Sequence, residues 1–238
     1  MSNPRRVRTF VTCMVLCAIS TAGYAGFHSH ALHPGLALTV FALAAFTSRL
    51  KVKLPGMNGN MSVNLPFLLT AIVSLSAAEA IVVAGGSTLA QCWPQKGKKS
   101  KLEQVAFNVC MMVFAICISA WVFNWSWGGG SKPAAIGLAT ATMLLGQTVA
   151  VSAVIALSES MAVTSIWWNM AQLSFPYYVL SAGITSMAQV ASARVGWPLA
   201  LAVFPVMYGI YHSYRLYFGR VAEMLSQEVP MKAAAASA

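Results

Sequence analysis

The amide and hydroxyl side chains best suited to bind a ligand are concentrated in one short stretch before residue 65. It reads Arg49-Leu-Lys-Val-Lys-Leu-Pro-Gly-Met-Asn-Gly-Asn-Met-Ser-Val-Asn64, and its candidate ligand-binding residues are Asn58, Asn60, Ser62 and Asn64. Two short apolar segments follow, and short interrupted hydrophobic segments often mark binding sites in membrane proteins. Irregular polar backbone at membrane depth is tolerated where it lines a cavity or is buried in protein. The pattern predicts a ligand or coupling site, with an ordinary turn carrying capping asparagines as the alternative.

Three further polar residues lie in or beside apolar runs and are added to the candidate ligand-binding set: Glu79, Asn108 and Gln147. Glu79 falls between the two short apolar segments. Burying its charge in a membrane is costly, so an acid there is a functional candidate unless the turn exposes it to water. Asn108 and Gln147 lie inside strong apolar runs, where amides also hold helices together.

The only histidine cluster is His28-Ser-His30-Ala-Leu-His33. Three imidazoles at this spacing are weak candidates for a zinc, copper or nickel site, or for a proton sensor. No cysteine or carboxylate lies near them in sequence to complete a metal shell. We therefore favour a solvated loop and expect neither a metal site nor a cofactor.

Acidic residues are too scarce for most hydrolytic chemistry. The chain has no aspartate, and its five carboxylates are Glu79, Glu103, Glu159, Glu223 and Glu228. This excludes a Ser-His-Asp triad and makes paired-carboxylate hydrolysis a poor fit. There is no P-loop, dinucleotide fingerprint or His-Glu-x-x-His motif either. We expect a protein that is not an enzyme.

The composition indicates the elements that must position these candidates. Hydrophobic residues make up 58% of the chain and charged residues only 8%, whereas about a quarter of a soluble domain is charged. The apolar residues form long runs, several reaching the roughly 17–25 residues of a spanning helix. We predict an all-α, polytopic transmembrane helix bundle over residues 10–218. A basic segment, 1–9, precedes it, and a short cytoplasmic helix with a disordered tail, 219–238, follows.

The basic residues predict the orientation of this bundle. With eight spans and a cytoplasmic N-terminus, every lysine and arginine except Lys132 and Arg194 falls on the cytoplasmic side, as the positive-inside rule requires. Replacing two short spans, Val63–Trp93, by a re-entrant hairpin leaves six spans and the same orientation. Both termini are then cytoplasmic in a multi-pass protein of a bacterial inner membrane. The net charge of +10 is read as a topology signal, and no nucleic-acid partner is expected.

One stretch resembles a known family. Bacterial membrane regions that precede GGDEF or HD-GYP signalling domains often combine basic residues, Leu-Pro-Gly, a polar turn and an apolar pair. Here the pattern stands as Leu50-Lys-Val-Lys-Leu-Pro-Gly56, Asn60-Met-Ser-Val63, Leu75-Ser-Ala-Ala-Glu79 and Leu89-Ala-Gln91. The resemblance implies a sensory module that binds a small molecule. No GGDEF or HD-GYP domain follows residue 220, so a cytoplasmic or membrane signalling partner is expected.

A weaker likeness supplies the alternative function. The compact multi-helix pattern looks loosely like the substrate-binding components of energy-coupling vitamin transporters. That likeness implies a membrane subunit that captures a small-molecule substrate and depends on a separate ATPase.

Overall fold

The computed structural model describes residues 4–27, 29, 32–53, 60–93, 102–127, 131–159, 161–195, 203, 205–217 and 219–220. Seven helices are α1 (Pro4–Phe27), α2 (Pro34–Ser48), α3 (Leu65–Ser74), α4 (Ala77–Cys92), α5 (Leu102–Trp127), α6 (Lys132–Glu159) and α7 (Val163–Val195). We label the helical residues 205–217 α8. Two short strands, β1 (Lys51–Lys53) and β2 (Asn60–Ser62), pair antiparallel with Val52 opposite Met61. The predicted helical class is confirmed, with this small hairpin as an addition.

In the part of the chain that the structure describes, three helices are long and apolar enough to cross a membrane: Arg5–Phe27, Leu102–Trp125 and Lys132–Glu159. Helices α2 and α3 are also apolar but shorter. This length and composition indicate a membrane protein and agree with the predicted helix bundle. The count of eight spans and the orientation of the termini stay predictions.

Helix α7 has 33 residues and runs unbroken through Pro176. Proline removes one backbone hydrogen bond from a helix interior. Helix α7 packs against α6 and α3, and tertiary packing of this kind can offset the lost bond.

The short helix α3 lies at the centre of the bundle. It is ten residues long and contacts α2, α4, α5, α6 and α7. Its first five residues are all buried, and Phe67, Leu68 and Leu69 are each only 1% exposed. Ten helical residues extend about 15 Å, half of a hydrocarbon core of about 30 Å. Helix α3 is therefore an interior half-helix that the longer helices surround.

Close helix contacts depend on small residues. A Cβ atom added to Gly86 on α4 would overlap the ring of Phe41 on α2. At Gly146 on α6 it would lie 3.3 Å from the Cβ atom of Ala115 on α5. Small residues allow such approach, and membrane helices use them because lipid supplies no hydrophobic force between helices.

The bundle has two ends that position the polar residues. At one end, the segment joining α1 to α2 meets the turn joining α3 to α4, through hydrogen bonds of Ser29 and His33. We call this the latch end. At the other end, the β1–β2 pair meets the C-terminus of α4 through Lys51 and Gln91. We call this the hairpin end.

Candidate functional site

A cavity of about 650 Å³ lies between α1, α5 and the α3–α4 turn. Pockets that hold small molecules commonly measure about 300–1,000 Å³. Its walls are formed by Ser20, Thr21, Tyr24, Ala25, Ser29, Leu75, Ser76, Ala77, Cys117, Ile118, Ala120, Trp121 and Asn124. None of the predicted candidate residues is among them. The cavity is therefore a candidate binding site that sequence reasoning did not locate.

Several hydroxyl groups in the cavity wall already have protein partners. Thr21 Oγ1 donates to the carbonyl oxygen of Cys17 at 2.9 Å, within α1. Ser29 Oγ donates to the carbonyl oxygen of Ala25 at 2.7 Å and accepts from the backbone N–H of Ala78 at 3.1 Å. The second bond ties the segment after α1 to the first turn of α4. Both elements are thereby held in place as part of the cavity wall.

Glu79 lies at the latch end, where it binds the wall residue Ser76 and the backbone of His33. It lies at the third position of α4 and forms a capping box with Ser76: Glu79 N–H donates to Ser76 Oγ at 3.3 Å, and Ser76 N–H donates to Glu79 Oε2 at 3.0 Å. Ser76 Oγ also donates to Oε2 at 2.8 Å. The other carboxylate oxygen, Oε1, accepts from the backbone N–H of His33 at 2.6 Å. Glu79 is only 8% exposed. Its carboxylate accepts three hydrogen bonds, all from donors of the protein itself.

These contacts determine the ionisation of Glu79, which precedes the apolar part of α4. Burial raises the pKa of the carboxyl group because it disfavours the charged form. The hydrogen bonds from Ser76 and from the His33 backbone, with the charge of the His33 ring, act in the opposite direction and prevail. The pKa of Glu79 is therefore lowered from its ordinary value, and the group stays ionised at neutral pH.

At the hairpin end, Ser62 and Asn64 belong to a different polar cluster. Ser62 Oγ donates to Asn64 Oδ1 at 3.0 Å and lies 3.4 Å from Gln91 Oε1. Lys51 Nζ donates to the backbone carbonyl of Gln91 at 2.8 Å. A cation bound to a carbonyl in the last turn stabilises a helix through an otherwise unpaired acceptor and the helix dipole. This cluster anchors the hairpin to α4.

The start of α3 is closed to a ligand by its own chain. The backbone N–H of Leu65 donates to Tyr177 Oη at 3.0 Å, and that of Phe67 donates to the Asn64 carbonyl at 3.1 Å. Pro66, between them, has no N–H. The side-chain nitrogen of the preceding residue, Asn64 Nδ2, is buried and has no hydrogen-bond partner among the described residues. An anion would therefore find no free backbone donor at the first residues of α3.

Tyr177 links this point to the last helix. Its ring centroid lies 6.4 Å from that of Tyr214 on α8, in an edge-to-face arrangement. Tyr177 is only 2% exposed. A single side chain thus touches the first residue of α3 and the interior face of α8. Sequence reasoning missed this residue, because neither its spacing nor its neighbours distinguish it from other membrane tyrosines.

The remaining candidates are dispersed. Asn108 Nδ2 donates to Cys92 Sγ at 3.6 Å, and Gln147 Nε2 donates to Met112 Sδ at 3.6 Å. Both amides thus join neighbouring helices through weak sulfur acceptors, as expected for the packing alternative. Among the candidate side chains that the structure describes, Ser62 and Asn64 are in direct hydrogen-bond contact.

Some predicted positions lie outside the described residues, namely Asn58, His28 and His30. Asn60 is described as part of β2 through its backbone. His33 is exposed and meets Glu79 through its backbone N–H. Within the described ranges, no group of three or more His, Cys, Asp or Glu residues is placed to hold a metal ion.

One element of the cavity wall could have been predicted from the sequence. Ser76 and Glu79 have the Ser-x-x-Glu spacing of a capping box, which predicts the start of α4 and hence the turn beside the cavity. The approach of α1 to α5 has no such local signature, because it depends on tertiary packing. A comparison with protein-family models gives no match, and comparisons with curated proteins and with solved structures also give none.

Proposed function

We propose that this protein is a membrane-embedded ligand-binding module of a bacterial signalling system, acting through a partner protein. The observation that carries the proposal is the cavity between α1, α5 and the α3–α4 turn. Its size suits a small molecule, and two of its walls are helices able to cross a membrane. A ligand in this position would contact the bundle without needing a soluble domain.

Helix α4 offers a path from the cavity to the opposite end of the bundle. Its first residue, Ala77, lines the cavity, and Gln91 in its last turn contacts Lys51 and Ser62 of the hairpin. Sixteen helical residues form a rod of about 24 Å. Helix shifts of about 1–2 Å are an established switching mode. Movement of α4 on binding would displace the hairpin, which we place on the cytoplasmic side.

A second path leads toward the C-terminal helix. Helix α3 begins beside the hairpin, and its first N–H is held by Tyr177, whose ring packs on Tyr214 of α8. A displaced hairpin would therefore disturb α8 as well. We propose that α8 and the residues after it present the output to the partner.

The test compares purified protein carrying three versions of the chain. Ala120 lines the cavity and is 5% exposed, so Ala120→Phe fills it. Ala141 is exposed on α6, so Ala141→Phe adds the same ring elsewhere. Each version is purified from native membranes in mild detergent, and co-purifying small molecules and proteins are identified by mass spectrometry.

The proposal expects a small molecule that accompanies the wild-type chain and Ala141→Phe but not Ala120→Phe. It also expects a signalling enzyme or kinase whose recovery changes in Ala120→Phe alone. Recovery of an ATPase pair, with a solute that accumulates in vesicles only when ATP is supplied, would contradict the proposal. That result would instead favour the substrate-capturing transporter subunit.

A further inference from the structure

We infer that the cavity takes an uncharged amphiphile drawn from the bilayer, an inference that rests on the proposed function. Among the described residues, the cavity lining contains hydroxyl, amide, thiol, aromatic and aliphatic groups but no acidic, basic or histidine side chain. A charge taken into a membrane interior without a partner costs several kcal/mol. The chemistry of the wall therefore selects against ions of either sign.

A cationic ligand would need the nearest acid, Glu79. That carboxylate lies behind the wall residue Ser76 and already accepts hydrogen bonds from Ser76 Oγ, Ser76 N–H and His33 N–H. Releasing it would leave these partly buried donors without their acceptor, which is unfavourable. Glu79 therefore holds the wall together and is not offered to a cation.

An anionic ligand would need a cation or free backbone donors. Three backbone donors beside the cavity are engaged: Ala78 N–H donates to Ser29 Oγ, and Ser76 N–H and His33 N–H donate to the Glu79 carboxylate. No described cation lines the cavity: the His33 ring acts on Glu79 behind the wall, and Arg8 is paired with Glu103, near the start of α5. Cavity residues of α5 begin only at Cys117, about 20 Å further along the helix.

The position of the cavity indicates entry from the bilayer. Residues Ser20–Ala25 of α1 and Cys117–Asn124 of α5 lie inside two candidate spans. Tyr24 and Trp121 line the cavity and are 64% and 61% exposed, so they mark its outer rim. With α1 and α5 crossing a bilayer, as their length and composition allow, these two exposed rings would face lipid, and a ligand could enter the cavity from the bilayer.

The amphiphilic part of the inference comes from Asn124. It lies on the cavity wall near the end of α5 and is exposed. Its amide can both donate and accept a hydrogen bond, which matches a hydroxyl or carbonyl group on the ligand. The aliphatic residues Leu75, Ile118 and Ala120 supply apolar surface for a tail.

The experiment uses three diazirine photoprobes that share a twelve-carbon tail and differ only in the headgroup: an alcohol, a carboxylate and an ammonium. Each is incorporated into lipid nanodiscs holding the full chain, at a pH where both acid and amine are ionised. After irradiation, mass spectrometry measures labelling of the α1 and α5 peptides that line the cavity. The alcohol is expected to label them at least about tenfold more than either ion, given the cost of burying a charge.

Two pairs of variants locate the labelling. Ala120→Phe should abolish it, and Ala141→Phe should preserve it. Asn124→Leu should reduce labelling by the alcohol severalfold, whereas Asn169→Leu, at an exposed position of α7, should not.

The outcomes separate the ligand class from the proposed function. Equal labelling by all three probes, or stronger labelling by an ion, overturns the inferred class while a ligand-binding cavity remains. Labelling by the alcohol that Ala120→Phe does not reduce places the probe elsewhere and also overturns the inference. If no probe labels the cavity and no molecule co-purifies with the wild-type chain, both the inference and the proposed function fail.

Discussion

The carboxylate of Glu79 accepts a hydrogen bond of 2.6 Å from the backbone N–H of His33, across 46 positions of sequence. His33 immediately precedes α2, and Glu79 lies in the first turn of α4. One side chain therefore fixes two helix starts relative to each other. Because Ser76 and Ser29 beside it line the cavity, the same bond stabilises the wall of the candidate site.

Removal of this carboxylate should destabilise the protein. We expect Glu79→Ala to lower the free energy of unfolding by about 2 kcal/mol, because partly buried donors of Ser76 and His33 lose their acceptor. The measurement is unfolding in mixed micelles, followed by tryptophan fluorescence. Glu103→Ala is the control: its ion pair with Arg8 is highly exposed and is expected to contribute at most about 1 kcal/mol. Equal losses of unfolding free energy in the two variants would show that the contacts of the Glu79 carboxylate are not important for stability.

The hydrogen bonds of Glu79 should also make the free energy of unfolding depend on pH in the acid range. The pKa of Glu79 is lowered in the native protein, so the carboxylate favours folding. This contribution is complete above the ordinary glutamate value of 4.5 and is lost as the pH falls through the lowered native pKa. The stability difference between wild type and Glu79→Gln should therefore shrink on acidification below that value. A difference that stayed constant or grew would contradict the assigned hydrogen bonds.

Close packing of α2 on α4 predicts a strong effect at one glycine. Gly86→Ala should lower the free energy of unfolding by about 1–3 kcal/mol, because the new methyl group overlaps the Phe41 ring. Gly137→Ala on α6 is the matched control, since a Cβ atom there meets nothing within 4 Å. The double variant with Phe41→Leu should recover part of the loss. If Phe41→Leu adds its own cost with no recovery, the clash is not the cause.

The junction of the hairpin with α3 should depend on one hydroxyl group. Tyr177→Phe removes the acceptor of the Leu65 N–H and should cost about 1–3 kcal/mol of unfolding free energy. Tyr208→Phe on α8, at a residue 52% exposed, should cost far less. Hydrogen exchange at Leu65 supplies a direct measurement and should become faster in Tyr177→Phe. Unchanged exchange would place the stabilising contact elsewhere.

Local patterns were sufficient for most helices. Long apolar runs predicted α1, α5 and α6, since a run long enough to span a bilayer has few alternatives to a helix. The break near Glu79 was also predicted, and the Ser76–Glu79 capping box supplies its local cause. The unbroken course of α7 through Pro176 was not predicted, because it depends on neighbouring helices that compensate for the lost bond.

The contacts of the candidate site residues were harder to predict from the sequence than the helices. Asn108 and Gln147 were recognised as polar groups in apolar runs, but their sulfur partners lie 16 and 35 positions away. Whether such an amide joins helices or faces a cavity depends on the rotation of each helix, which hydrophobicity alone leaves open.

The sequence by itself determined that this is a helical, membrane-compatible protein, because composition and the lengths of apolar runs decide how backbone polar groups are satisfied in lipid. It also determined where polar residues interrupt those runs. Only the tertiary structure decided which of them meet: Glu79 with His33, Leu65 with Tyr177, and α1 with α5 around the cavity. The physical reason is that these contacts join distant segments and depend on the depth and rotation of each helix in the bundle.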